Sequence, residues 1–226
     1  PSVQWIVLTL VCVGICLCGL VGNGTVLWFL GCKMKQNPFT VYILNLAAAD
    51  FSLLLLFTLL ALTVWIFKEL CFYDVKNIIS HVFLAFAFLC HFFDLSSLGL
   101  LTAISVERCI SVLFPLWYRC QRPKHSAGIT CGVLWVLAGL LISLTYLSIN
   151  FAPSSMPACA GAVVAFSLIM ALMGFISNLV LFIRLRWGSQ RRHPGRLYIA
   201  VLLNVIVFFA FGVPFNVEAF LNLTTS

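Results

Sequence analysis

Long apolar runs separated by short polar joints organise the chain from end to end. Six runs, 3–30, 39–67, 77–112, 125–149, 161–185 and 196–221, are predominantly apolar. Each reaches the roughly 20 residues that a helix needs to cross a bilayer. Within them apolar residues are continuous and do not alternate with polar ones, so they do not read as the strands of a membrane barrel. Lipid offers backbone N–H and C=O groups no partner, so such runs must close their hydrogen bonds internally, as helices. The joints have the opposite character. "KMKQNPF" supplies Asn37 as a helix N-cap and Pro38 as a first helical residue. "FPLWYRCQRPKHS" and "RWGSQRRHPGR" carry prolines, glycines and bases, which is loop composition. The predicted fold class is all-α, a multi-pass membrane helix bundle.

Composition confirms lipid as the solvent. Charged residues make up 8% and hydrophobic residues 63%, against about 25% charged in soluble domains; the mean hydropathy is +1.13. The net charge of +7 follows from where the bases sit. Lys33, Lys35, Arg108, Arg119, Arg122, Lys124, Arg184, Arg186, Arg191, Arg192 and Arg196 all fall on one side of the spans, and only Lys68 and Lys76 on the other. Bases collect on cytoplasmic sides, so the amino end is expected outside. Topology accounts for the charge, and no nucleic-acid partner is implied. Cys12, Cys16, Cys18, Cys90 and Cys131 lie within spans and read as small hydrophobes. No Cys/His spacing of a metal site occurs.

A few polar residues sit where lipid makes them costly. Asn23 lies inside the first span, Asp50 deep in the second and Asp94 in the third. A carboxylate at membrane depth points to function. On the third span Asp94, Ser97, Leu101, Ser105 and Arg108 share one stripe at 100° per residue, with Asp94 roughly 21 Å from Arg108. Ser97 is expected to face Asp50. Glu107 and Arg108 close this span as an adjacent acid and base, either a snorkelling interfacial anchor or a signalling element. As an exposed ion pair they would contribute about 0–1 kcal/mol. Asp94 reads either as a ligand contact or as an acid paired inside the bundle, and His91 as a packed aromatic or a proton switch.

Taken in order, the "GN" of the first span, "LAAAD" of the second, "ERC" at the end of the third, Trp135 and Pro214 resemble the rhodopsin-like G-protein-coupled receptors. "NPFTVYILNLAAAD", "LLTAISVERCISVLFPLWYRCQRPKH" and "GVPF" are similar to the Mas-related receptors among them. The resemblance implies one receptor domain over 1–226 at the plasma membrane, carrying six of the seven spans. The chain stops at Ser226, so a longer protein with a seventh span is expected. It implies an extracellular peptide or small-molecule agonist, a heterotrimeric G protein as partner, and no bond chemistry. Asn23, Asp50 and Ser97 match the superfamily's sodium pocket, so an allosteric sodium ion at Asp50 is the one expected small ligand besides the agonist. Asp94, Cys90, His91 and Glu218 fall at ligand-side positions. Glu107 and Arg108 match the coupling triplet, and Gly212 and Pro214 the bend of the sixth span.

Several residues depart from these families' patterns. Phe83 replaces a common cysteine, and Cys90 stands where amine receptors place an aspartate. Thr145 and Val163 stand where the basic-ligand members carry acids. A transporter would show repeats or matching broken helices in two halves, and none is visible; a non-signalling receptor fragment is the other alternative.

Overall fold

The computed structural model describes residues 3–33, 37–70, 76–187, 203 and 206. The sixth predicted span lies outside the described residues except for Leu203 and Ile206. Its three site candidates Gly212, Pro214 and Glu218 are therefore outside them too. The described chain is helical throughout its spans: α1 (Val3–Cys32), α2 (Pro38–Leu70), α3 (Lys76–Leu113), α4 (Pro115–Cys120), α5 (Ser126–Phe151), a 3-10 turn (Pro153–Ser155) and α6 (Met156–Trp187). Five of these helices are long and apolar enough to cross a membrane. The all-α membrane architecture expected from the runs is what the described residues adopt.

Two joints differ from expectation. The proline-rich stretch after α3 is not wholly a loop, because Pro115 opens the short helix α4. Proline at a first helical position loses no hydrogen bond that the helix would have made. The fifth span begins at Met156, five residues ahead of 161, because Pro157 is absorbed into the first turn of α6, where its missing N–H is harmless.

Entry into α2 shows how local chemistry starts a span. Asn37 Oδ1 accepts from the backbone N–H groups of Phe39 and Thr40, both at 2.9 Å. Thr40 Oγ1 accepts from Asn37 N at 2.8 Å. The two side chains thus satisfy each other's backbone, a reciprocal cap with threonine in the place usually held by Glu or Gln. Inside the spans, hydroxyls are neutralised by their own helix. Ser52, Thr58, Ser96 and Ser167 each donate to the carbonyl four residues back, at 2.8 to 2.9 Å, so these hydroxyl protons are bonded within their own helix.

The molecule divides into two compact units, 1–97 and 98–226, with the boundary inside α3. In the first unit α1 packs on α2. A side chain at Gly19 would put its Cβ 2.5 Å from Leu54 Cδ1, so the glycine permits the close approach that small residues allow in membranes. Tyr42, Ala47 and Ala49 of α2 are buried. In the second unit α5 packs on α6, and Leu134 of α5 lies 3.0 Å from where a Cβ on Gly99 would stand. Leu100 and Ile104 of α3 and Ala138 of α5 are buried in this unit, while Leu140, Leu144 and Ile176 turn outward to lipid.

Removing the cap isolates its contribution. Asn37→Ala is expected to lower stability by about 1 kcal/mol, read as a lower melting temperature in detergent, with Asn37→Asp close to wild type. Equal melting of Asn37→Ala and wild type would show that packing of α2, not the cap, sets its start.

Candidate functional site

Three groups of polar side chains stand out, two in the first compact unit and one in the second. In the first unit Ser97 Oγ of α3 donates to Asp50 Oδ1 of α2 at 2.7 Å. Ser97 is buried and Asp50 half-buried. A bilayer-depth carboxylate thereby gains a charge-assisted bond. Asn23 is not drawn into this pair: its Nδ2 donates to Gly19 O, 3.1 Å away in its own helix. Among the described residues no hydrogen bond joins it to Asp50 or Ser97. Its neighbour Gly24 abuts Phe51, 3.4 Å from an added Cβ, which puts Asn23 one residue from the α1–α2 seam.

One turn before Ser97, the ligand-side candidates share α3. Cys90 is buried, and His91 and Asp94 are half-buried. Cys90 and Asp94 are four residues apart and so lie on one face. Phe92 and Phe93, between them in sequence, set their rings edge to face at 5.0 Å.

The third group closes α3. The Glu107 carboxylate is engaged by Arg122, whose Nη2 donates to Oε1 at 2.7 Å. The pair is not the exposed one expected of Glu107 with its neighbour. The Arg122 and Glu107 side chains are only 7% and 16% exposed. The reason is α4, which carries the chain onward so that Arg122 returns to Glu107, fifteen residues away in sequence. The Arg122 guanidinium also lies over the Tyr118 ring, 4.8 Å from its centre, a favourable cation–π placement. Burial raises the Tyr118 phenol above its ordinary value. The Glu107 charge and a hydrogen bond to it push the same way, and Arg122 opposes them. Beside this clasp, Phe114, Leu116 and Trp117 are exposed, Leu116 at 81%. Arg108 follows Glu107 on α3, and its carbonyl accepts from Ser111 Oγ at 2.8 Å.

Asn178 did not stand out in the sequence reading. It is fully buried on α6 and donates to Ser105 Oγ on α3 at 3.0 Å. Thr102 Oγ1 of α3 donates to Met170 O of α6 at 2.9 Å. The available signal was an amide inside the apolar run "GFISNLVLFI", which merits the same suspicion as Asp50.

Comparison with known proteins bears on what these groups are. The family model described as "7 transmembrane receptor (rhodopsin family)" matches residues 22–226. The chain belongs to the rhodopsin family of seven-transmembrane receptors. Within that family it is 36% identical to the proto-oncogene Mas of Rattus norvegicus over 96% of this chain. The human Mas-related G-protein coupled receptor members X1 and D are 38% and 39% identical to it, over 97% and 96% of the chain. It spans 66% of the rat Mas protein and 67% of each human receptor. The chain is thus that of a multi-pass membrane protein of the Mas-related group, and the two human relatives are named as G-protein coupled receptors.

The Glu107–Arg122 pair makes a direct stability prediction. Arg122→Ala strands a mostly buried carboxylate and is expected to cost about 2–3 kcal/mol, somewhat below the cost of breaking a wholly dry pair. Adding Glu107→Gln to Arg122→Ala removes the stranded charge and should recover part of the loss in a detergent melting series. Additive losses would mean that the two side chains do not act on one another.

Proposed function

We propose that this receptor binds an extracellular peptide or small molecule and passes the signal to a heterotrimeric G protein at the end of α3. The observation that carries this reading is the α3–α4 corner. A buried ion pair fixes a short helix that presents Leu116 and Trp117 to solvent. The same end of α3 bears Arg108, Arg119 lies in the last turn of α4, and Lys124 follows in the joint after it. An apolar ridge rimmed by bases is a surface suited to a protein partner, and the G-protein-coupled naming of the relatives supplies its class. The basic side is then cytoplasmic, the amino end is outside at the plasma membrane, and 1–226 is read as one receptor domain.

The ligand end follows from the same axis. Asp94, with Cys90 one turn above it and His91 beside that, faces the agonist from α3, and Glu218, Gly212 and Pro214 are assigned to the ligand side and bend of the sixth span. An agonist shifts the equilibrium between two receptor states only by its difference in affinity for them. Asp50 and Ser97 are oxygen donors of the kind a hard cation takes. They would hold a sodium ion, whose charge favours the state that keeps the carboxylate accessible to it. Asn23, the third residue of the expected pocket, lies on α1 and donates from its amide to Gly19 O of its own helix. The receptor makes and breaks no covalent bond.

Three variants test the scheme in the full-length receptor. Arg108→Ala is expected to abolish receptor-driven guanine-nucleotide exchange while the protein still reaches the surface; normal exchange would reduce Glu107 and Arg108 to interfacial anchors. Asp50→Asn should weaken agonist-driven signalling and remove its dependence on sodium concentration, leaving surface expression largely intact. An unchanged sodium dependence would dismiss the ion. Asp94→Asn should weaken cationic agonists by about 2–5 kcal/mol, tens- to thousands-fold in affinity, and neutral agonists far less. Equal losses for both would assign Asp94 to internal packing.

A further inference from the structure

Asn178 is 1% exposed and Ser105 0%, yet both are polar and both lie in apolar helices. Their hydrogen bonds form a directed chain. Asn178 Nδ2 donates to Ser105 Oγ at 3.0 Å and to Gly174 O at 2.8 Å. Ser105 Oγ donates in turn to Leu101 O at 3.0 Å. The hydroxyl therefore accepts across helices and donates within its own. A leucine at 178 would fill an apolar site without desolvating an amide, so the asparagine costs stability that only its directed bonds offset. What such a bond adds over apolar packing is register: it holds one turn of α3 at one height against α6. That turn is three residues from Arg108, hence on the same face and one turn away. The hydroxyl of Thr102 on Met170 O ties the preceding turn of α3 to the same helix.

We propose that Asn178 is a positioning residue for coupling: through Ser105 it sets the height and rotation of the α3 turn that carries Arg108. The inference rests on the proposed coupling at Arg108 and adds to it the α6 residue that aims the arginine. Asn178 acts through Ser105 and touches no partner itself.

The test uses the full-length receptor reconstituted in lipid nanodiscs with purified heterotrimeric G proteins of each class, without agonist. Guanine-nucleotide exchange is measured per folded receptor, and melting temperature separately. Asn178→Leu and Ser105→Ala are each expected to lower exchange per folded receptor by about three- to fifteenfold, the factor that one interhelical hydrogen bond in a membrane carries. The double variant should lose no more than Asn178→Leu alone, because both single changes remove one bond. Asn37→Ala, which weakens a helix start in the other compact unit, should lower melting temperature and leave exchange per folded receptor unchanged. If Asn178→Leu and Ser105→Ala lower only the melting temperature, or if their effects on exchange add, Asn178 is a packing residue and the proposal is overturned, while loss of exchange in Arg108→Ala would keep the coupling reading standing. Wild-type exchange no greater than that of Arg108→Ala with every G protein would overturn the coupling reading and this inference together.

Discussion

A polypeptide in lipid has no solvent to bond with, so every backbone N–H and C=O in a span must be satisfied by the chain itself. Helices follow from that constraint, and so does much of the side-chain chemistry. Hydroxyls fold back onto the carbonyl four residues earlier, as Ser52, Thr58 and Ser167 do. The first turn of α2, which has no preceding carbonyls to use, borrows Asn37 and Thr40 instead. Among the described residues, Pro38, Pro115 and Pro157 sit in the opening turns of α2, α4 and α6, where no hydrogen bond is lost.

The same constraint makes the remaining polar groups informative. A side chain that cannot be satisfied by its own helix must reach another, and that reach fixes a pair of helices. Ser97 binds Asp50 and thereby joins α3 to α2. Asn178 binds Ser105, and Thr102 binds Met170 O, which join α3 to α6. Arg122 binds Glu107 and joins the joint after α4 to the end of α3. All four bonds end on α3. Apolar contacts are non-directional and tolerate sliding, whereas these bonds specify one height. Each compact unit thus fixes its own part of α3 by polar bonds, through Asp50 in the first and through Asn178, Met170 O and Arg122 in the second.

The α3–α4 corner shows how a weak surface interaction becomes a strong one by burial. An exposed acid and base beside each other would contribute little. The chain running on through α4 brings Arg122, stacked on Tyr118, to the Glu107 carboxylate in the place of solvent. The stem of the clasp is buried and its apolar ridge exposed, so a rigid platform presents Leu116 outward. In that position Leu116 is available to a partner and is not needed for the core.

The sequence by itself determined that the chain crosses a membrane repeatedly as helices, because twenty apolar residues in a row admit no other solvated or hydrogen-bonded state. It also determined the start of α2 at Asn37–Pro38, since a cap is a contact among neighbours. Family membership was legible in the second and third spans. Asp50 was legible as a group that needs a partner because its cost in lipid does not depend on what surrounds it. Only the tertiary structure decided which groups meet. Glu107 takes a partner fifteen residues onward, Asn178 reaches across 73 residues to Ser105, and Asn23 turns back to its own helix while Ser97 finds Asp50. Helical periodicity tells which face of one rod a residue occupies. It carries no information on the rotation or height of the rod beside it, and those two quantities select the partner.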